Sequence, residues 1–158
     1  LIQELKKKKK INIGAKIVWV TSGGMYLSKL KLDEITQVPS SYDKVGAYAN
    51  VKRAQVTLLP FLREEFKDQT VTAMHPGWVE TPGVAEAIPK FDKKMEGKLR
   101  SPLEGADTIL WLLGTKQKVE SGKLYFDRKK VKSHLFWFTK SSEKKLKTLI
   151  DILNEKTL

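Results

Sequence analysis

The chain has 158 residues, and its 30 lysine and arginine residues outnumber 18 aspartate and glutamate residues, for a formal net charge of +12 at pH 7. This length fits a single domain with a hydrophobic core. The absence of cysteine excludes a disulfide framework and a thiolate zinc site, and without an apolar run of about 18 residues no membrane-spanning helix is expected.

The positive charge leaves two interpretations open. The consecutive lysines Lys6 to Lys10 could bind phosphate groups, or they could form the solvated carboxyl end of a helix. We favour the solvated end and expect no nucleic-acid partner. A chain without cysteine fits a reducing compartment, so a cytoplasmic location is expected.

Three short apolar runs predict parallel strands near residues 17–20, 71–74 and 123–126. The first is almost continuously apolar, as in a strand that is covered on both faces. It ends at Thr21-Ser22-Gly23-Gly24, where the glycines let the chain turn. Residues 127–129 are interpreted as the exit from the third strand.

Helical patterns separate and follow these strands. Residues 45–67 predict a helix that Pro60 should kink. Ser101 and Glu104 form a capping pattern around Pro102, for a helix that ends at Gly114. Residues 142–154 have the spacing of an amphipathic helix. The packing stripe of the first helix consists of Ala47, Val51, Ala54, Leu58, Leu59 and Leu62. Alternating strands and helices predict an α/β fold, a partial Rossmann-like, doubly wound parallel sheet in three layers.

Tyr48 and Lys52 carry the first chemical signal. Four residues apart on a helix, they share one face roughly 6 Å apart, so the ammonium can stabilise a tyrosinate that acts as general acid or base. A lysine-rich chain with 4 tyrosines is expected to contain about 0.6 such pairs by chance. The pair alone therefore decides nothing.

The strand near residues 71–74 adds the second part of the pattern. It runs into His75-Pro76-Gly77, with Val79 and Thr81 following. Pro-Gly turns the chain out of the sheet at the edge where open α/β sheets bind ligands. The order of Ser22, Tyr-x-x-x-Lys, strand and Pro-Gly-x-x-x-Thr is far more specific than any one piece.

With these motifs the sequence resembles the short-chain dehydrogenases/reductases. It has a particular likeness to one group of that family at residues 20–25, 75–78 with 81–84, 105–108 with 110–112, and 127–129. The resemblance covers nearly the whole chain, but only about the carboxyl-terminal half of the family's fold.

The resemblance implies an NAD(P)-dependent oxidoreductase that acts on a small-molecule carbonyl or alcohol. Tyr48 would donate the proton, Lys52 would support it and orient the cofactor ribose, and Ser22 would hold the substrate oxygen. The implied cofactor contacts are Tyr48, Lys52, Pro76, Gly77, Val79 and Thr81. No metal site is expected, because His75 and His134 are distant in sequence and lack a nearby carboxylate cluster.

The main departure from the family is the absence of a glycine-rich phosphate loop anywhere in the sequence. We therefore expect residues 1–158 to be one truncated NAD(P)-binding domain without the amino-terminal strands. By itself it should bind NAD(P) weakly or not at all and be inactive. Two alternatives stay open: a non-catalytic fragment or pseudoenzyme with a binding or structural role, and a basic module for anionic surfaces, which only the charge favours.

Overall fold

The computed structural model describes residues 2–37, 40–87 and 97–155. Within these ranges four strands form one sheet in sequence order. Strands β1, β2 and β3 are parallel, and β4 is antiparallel to β3. The strands are β1 (Lys16–Val20), β2 (Thr70–Met74), β3 (Lys123–Phe126) and β4 (Lys129–Val131). The predicted fold class is confirmed, although the sheet is mixed because of β4.

Helices connect and follow the strands. They are α1 (Ile2–Lys7), α2 (Asp33–Thr36), α3 (Lys44–Thr57), α4 (Leu59–Glu65), α5 (Pro82–Ala87), α6 (Pro102–Gly114) and α7 (Glu143–Glu155), with short 3-10 helices at Gly23–Leu27 and Trp137–Thr139. In the described ranges, no helix combines the length and the apolar character needed to cross a bilayer.

The three layers follow from the alternation of side chains along the strands. On one face of the sheet, Val71, Ala73 and Leu124 pack with residues of α3 and α4, and Leu149 of α7 joins this core. On the other face, Met74 and Tyr125 pack against Leu112 of α6. The sheet is thus covered on both sides, as a buried parallel sheet requires.

The predicted start of α6 is observed in detail. The Ser101 hydroxyl accepts a hydrogen bond from the Glu104 backbone N–H, and the Glu104 carboxylate accepts one from the Ser101 N–H at 2.7 Å. These bonds with Ser101 lower the pKa of Glu104. The helix includes Gly114 as its last residue.

The helix predicted at residues 45–67 is two helices in the structure, α3 and α4. The break lies at Leu58, and Pro60 occupies the first turn of α4, where its missing N–H has no helical partner to lose.

The predicted packing stripe of α3 is partly wrong. Val51 is exposed, whereas the polar residues Asn50 and Arg53 are buried. Both polar side chains hydrogen-bond to backbone groups of the segment before α2, which compensates for their removal from water. The pattern of apolar residues therefore predicted only part of the buried face of α3.

Strand β4 corrects the interpretation of residues 127–129 as a simple exit. Asp127 and Arg128 both have positive φ, 47° and 59°, and form the two-residue turn of a β-hairpin. Such turns usually contain Asn-Gly or Asp-Gly, so Asp-Arg gives no clear signal. Ion pairs with Arg100 and Asp107 hold the two turn residues.

The layer arrangement predicts that substitutions of two leucines of α6 differ strongly in their effect on stability. Leu112→Ala should lower the free energy of unfolding by about 2–5 kcal/mol, because it leaves a cavity between α6 and the sheet. Leu110→Ala should change it by less than about 0.5 kcal/mol, because that side chain is exposed. Urea denaturation followed by circular dichroism measures both, and equal losses would contradict the packing of α6.

Candidate active site

The carboxyl ends of the three parallel strands lie together at one edge of the sheet. Thr21 follows β1 and donates its N–H to the Met74 carbonyl at 2.7 Å, and His75 follows β2 and donates its N–H to the Tyr125 carbonyl at 3.3 Å. Ser22 and the Pro76-Gly77 turn come directly after these residues. The predicted positions at the ends of β1 and β2 are therefore neighbours in space.

Tyr48 and Lys52 lie on the same side of α3, at the end of β1. The Lys52 ammonium is 5.5 Å from the centre of the Tyr48 ring and donates a hydrogen bond to the Val20 carbonyl at 3.0 Å. The Thr21 hydroxyl donates to the Lys52 carbonyl at 3.1 Å. Two bonds thus fix this turn of the helix against the strand that leads to Ser22.

The two side chains differ in exposure. Tyr48 is 52% exposed, so the ring is open to a molecule from solvent. Lys52 is partly buried, and this burial lowers the pKa of its ammonium group. An ammonium with reduced hydration interacts more strongly with a nearby anionic oxygen than one in bulk water does.

Ser22 caps the short helix Gly23–Leu27. Its hydroxyl oxygen accepts a hydrogen bond from the Gly24 N–H at 3.3 Å. A hydroxyl that accepts in this way still has its own proton to donate. Ser22 can therefore donate to a substrate oxygen without leaving the position that the cap gives it.

The Pro76-Gly77 turn requires glycine. Gly77 has a φ of +79°, and a Cβ there would lie 3.0 Å from Nε of Arg100 and 3.3 Å from the Phe126 ring. The backbone therefore passes close to these side chains, in a conformation that side-chain-bearing residues rarely adopt. This fixes the path by which the chain leaves β2.

Val79 forms an isolated parallel bridge with Arg100. Arg100 donates its N–H to the Trp78 carbonyl and accepts from the Glu80 N–H, both at 2.9 Å. In such a bridge the N–H and C=O of the middle residue, Val79, point away from the partner. A Cβ at Gly105 would lie 2.6 Å from a Val79 methyl, so α6 packs closely on this segment. Thr81, partly exposed, directly precedes α5.

Arg53 is a residue that the sequence interpretation missed. It is 2% exposed, and its Nε and Nη2 donate to the Met25 carbonyl at 3.0 and 2.6 Å. Its Nη1 donates to the Ser133 carbonyl at 2.6 Å. Burial lowers its pKa to about 10, so the guanidinium stays charged at neutral pH. Arg53 thereby connects α3 with the helix capped by Ser22 and with the segment that follows β4.

A stack of rings at the ends of β2 and β3 was also missed. The His75 ring lies 4.3 Å from that of Phe126, nearly parallel, and meets the Tyr26 ring edge-on at 5.7 Å. The Arg100 guanidinium lies 4.6 Å from the Phe126 ring centre and pairs with Asp127. The available signal in the sequence was His75 before Pro-Gly, because a histidine at a strand end is commonly packed or hydrogen-bonded.

His75 is buried in this stack. Burial lowers its pKa, and Arg100 acts in the same direction while Asp127 opposes them. Within the part of the chain that the structure describes, its Nδ1 atom has no hydrogen-bond partner. Among the same residues no group of three His, Cys, Asp or Glu side chains could hold a metal ion.

A separate groove in the described structure does not include the candidate site residues. It has a volume of about 850 Å³ and runs between α3 and α4, the hairpin of β3 and β4, and the segment that leads into α7. Arg53 reaches it, but Ser22, Tyr48 and Lys52 are not among its lining residues.

Comparison with known proteins supports the resemblance seen in the motifs. The group to which they point is dehydrogenase/reductase SDR family member 12. The chain is 37% identical to the Homo sapiens protein of that name over 143 residues, which is 89% of this chain and 45% of that protein. It is 38% identical to the Bos taurus protein over 145 residues, with the same coverage. The chain thus spans less than half the length of these curated relatives. No family model matches it.

Solved structures support the fold. A short chain dehydrogenase from Salmonella enterica serovar Typhi superimposes with a TM-score of 0.52 over 72% of this chain and 41% of that one, at 22% identity. An uncharacterized protein from Mycobacterium Paratuberculosis gives a TM-score of 0.50 over 70% and 37%, at 17% identity.

The bonds of Arg53 predict a large effect on stability. Arg53→Met should lower the free energy of unfolding by about 2–4 kcal/mol, because the buried carbonyl of Met25 and the carbonyl of Ser133 lose a charged donor. Arg63→Met removes an exposed guanidinium that pairs with a neighbouring glutamate, and it should change stability by less than about 1 kcal/mol. Urea denaturation compares them, and an equally small loss for both variants would show that Arg53 is not a structural link.

His75 predicts a pH dependence of stability. The pKa of His75 is lower in the folded chain than in the unfolded chain, so the unfolded chain binds the proton more tightly. The free energy of unfolding is therefore highest above about pH 6.5, the usual pKa of histidine, and decreases as the pH falls below that value. The free energy of unfolding should fall between pH 7 and pH 5, by at most about 1.4 kcal/mol per pH unit from this one group. His75→Gln should flatten the profile relative to the wild type. Denaturation curves across this range test the expectation, and a wild-type slope in His75→Gln would refute it.

Proposed function

The chain is related in sequence to the short-chain dehydrogenases/reductases, and on this basis we propose that it carries the proton-transfer residues of such an enzyme. In the complete protein the reaction would be an NAD(P)-dependent conversion between a carbonyl compound and an alcohol. The observation that supports this most directly is the Lys52 ammonium, which lies beside the Tyr48 ring and bonds to the end of the strand before Ser22.

The proton step follows from the roles of these three side chains. Tyr48 gives a proton to the substrate oxygen during reduction and takes it back during oxidation. The Lys52 ammonium favours this exchange because it stabilises the negative charge that the phenol oxygen acquires. Ser22 donates a hydrogen bond to the same substrate oxygen, so the carbonyl stays oriented towards Tyr48.

The residues present fit the nicotinamide end of the cofactor. The partly buried Lys52 ammonium can donate to ribose hydroxyls, and the N–H and C=O of Val79 face away from Arg100 and can pair with a carboxamide. Thr81 and the Pro76-Gly77 turn would line the same place. When NAD(P) is bound, its nicotinamide ring supplies or accepts the hydride. The sequence offers no glycine-rich loop for the pyrophosphate.

A non-catalytic role is the second candidate. Strand β1 lies at the edge of the described sheet, and in a doubly wound fold the strands and the loop that hold the dinucleotide would pair beyond it. A chain that kept the pocket but lacked these strands and this loop would act as a binding or structural protein. A general role in binding anionic surfaces rests on the net charge of +12.

The proposal is tested in a form that is extended upstream with the matching amino-terminal part of the human relative. Reduction of a panel of carbonyl compounds is followed by the loss of NADPH or NADH absorbance. Tyr48→Phe should lower kcat by roughly 10² to 10⁴, because the positioned proton donor is removed. Tyr42→Phe is the matched control, because Tyr42 is exposed and outside the site, and it should leave kcat unchanged. Equal turnover in the two variants would exclude Tyr48 as the proton donor.

The chain by itself should bind either cofactor weakly or not at all, because the contacts to the pyrophosphate and adenosine supply binding energy that positions the ring. Fluorescence titration of residues 1–158 with NADPH and NADH measures this. Micromolar affinity together with Tyr48-dependent turnover would show that the chain needs no further segment.

A further inference from the structure

Three consecutive apolar side chains project from the segment between β4 and α7. Leu135, Phe136 and Trp137, which we call the apolar tip, are 62%, 44% and 87% exposed. Trp137 is the most exposed large apolar side chain in the described ranges. Single exposed apolar residues are ordinary on protein surfaces, but a contiguous group indicates an interaction site.

The tip is held in its outward position from both sides. Before it, the carbonyls of Lys132 and Ser133 accept hydrogen bonds from Tyr26 at 2.7 Å and from Arg53 at 2.6 Å. After it, the buried Thr139 donates from its hydroxyl to the Phe136 carbonyl at 2.8 Å, and the hydroxyls of Ser141 and Thr57 are 3.0 Å apart. The exposure of the tip is therefore a feature of the folded structure and not of a frayed end.

Basic residues flank the tip in the sequence. Between residues 128 and 147 the sequence contains eight lysine and arginine residues and one acidic residue, Glu143. The side chains of Lys132, Lys140 and Lys144 are exposed. The Lys29 ammonium lies 5.8 Å from the ring centre of Phe138, the residue next to the tip. Arg128 and Lys130 pair with Asp107 and Glu120, and the other six lysines of this stretch still leave a positive charge next to the apolar surface in sequence.

We propose that the apolar tip and these lysines attach the protein peripherally to a membrane that contains anionic lipids. Tryptophan, phenylalanine and leucine beside lysines are the combination that enters the interfacial layer of a bilayer, with the rings among the headgroups. The lysines contact anionic headgroups. Exposed rings with exposed lysines next to them in sequence fit a lipid surface better than a protein groove. The tip and its lysines share no residue with the candidate active site, so the proposal does not depend on catalysis.

Flotation through a density gradient tests the proposal, because aggregated protein stays at the bottom whereas vesicle-bound protein rises. The chain should float with phosphatidylcholine vesicles that contain phosphatidylserine, and much less with phosphatidylcholine alone. Added salt should reduce the floated fraction, because it screens the lysines. The tryptophan emission, to which the 4 tryptophans of the chain contribute, should shift to shorter wavelength on binding, and Trp137→Phe should remove that shift.

Paired variants distinguish vesicle binding through the tip from binding that depends only on the net charge of the chain. The substitutions Lys132→Gln, Lys140→Gln and Lys144→Gln together should weaken vesicle binding by about tenfold or more. Neutralising Lys7, Lys8 and Lys10 removes the same charge at the amino end and should have a much smaller effect. Phe136→Ser with Trp137→Ser should likewise weaken binding, whereas Leu103→Ser, at an exposed apolar position on α6, should not. Circular dichroism shows whether each variant is folded.

Two results would overturn the proposal. One is a folded wild-type chain that does not float with anionic vesicles. The other is flotation that is equally strong after substitution of the tip, or that depends as much on the amino-terminal lysines as on those around the tip.

Discussion

The buried guanidinium of Arg53 is the contact on which the arrangement of the site depends. It bonds to the carbonyl of Met25, three residues after Ser22, and to that of Ser133, at the base of the apolar tip. A charge in this position is tolerated because carbonyl oxygens replace its water, and it remains protonated although burial lowers its pKa to about 10. Since Arg53 adjoins Lys52 on α3, the same contact sets the rotation of the helix that carries Tyr48.

The surroundings of the candidate site residues are set by their position at the carboxyl ends of three strands. Lys52 bonds to the end of β1, and the ring of His75 packs between those of Tyr26 and Phe126 behind the Pro76-Gly77 turn. This stack gives the turn a rigid support, while Tyr48 remains accessible from solvent. The packed rings and the exposed phenol are thus neighbouring residues with different surroundings.

Much of the fold could be predicted from the sequence. The apolar runs determined the three parallel strands, since a strand covered on both faces leaves few polar positions. The capping pattern at Ser101 and Glu104 determined the start of α6, because that interaction is local. For the site, the family was indicated by the order of Ser22, Tyr48, Lys52 and Pro76-Gly77 in the sequence. The structure places these residues at the ends of β1 and β2. Their catalytic roles stay predictions.

Other features were decided only by tertiary structure. The buried face of α3 is polar at Asn50 and Arg53, because distant backbone groups satisfy both side chains, and a periodicity of apolar residues cannot show this. The hairpin at Asp127 and Arg128 is held by ion pairs with Arg100 and Asp107, which are far away in sequence. By itself the sequence thus determined the elements whose stabilising contacts are local or repeat at a regular spacing. The packed chain decided those whose hydrogen bonds and charges are satisfied by residues distant in sequence.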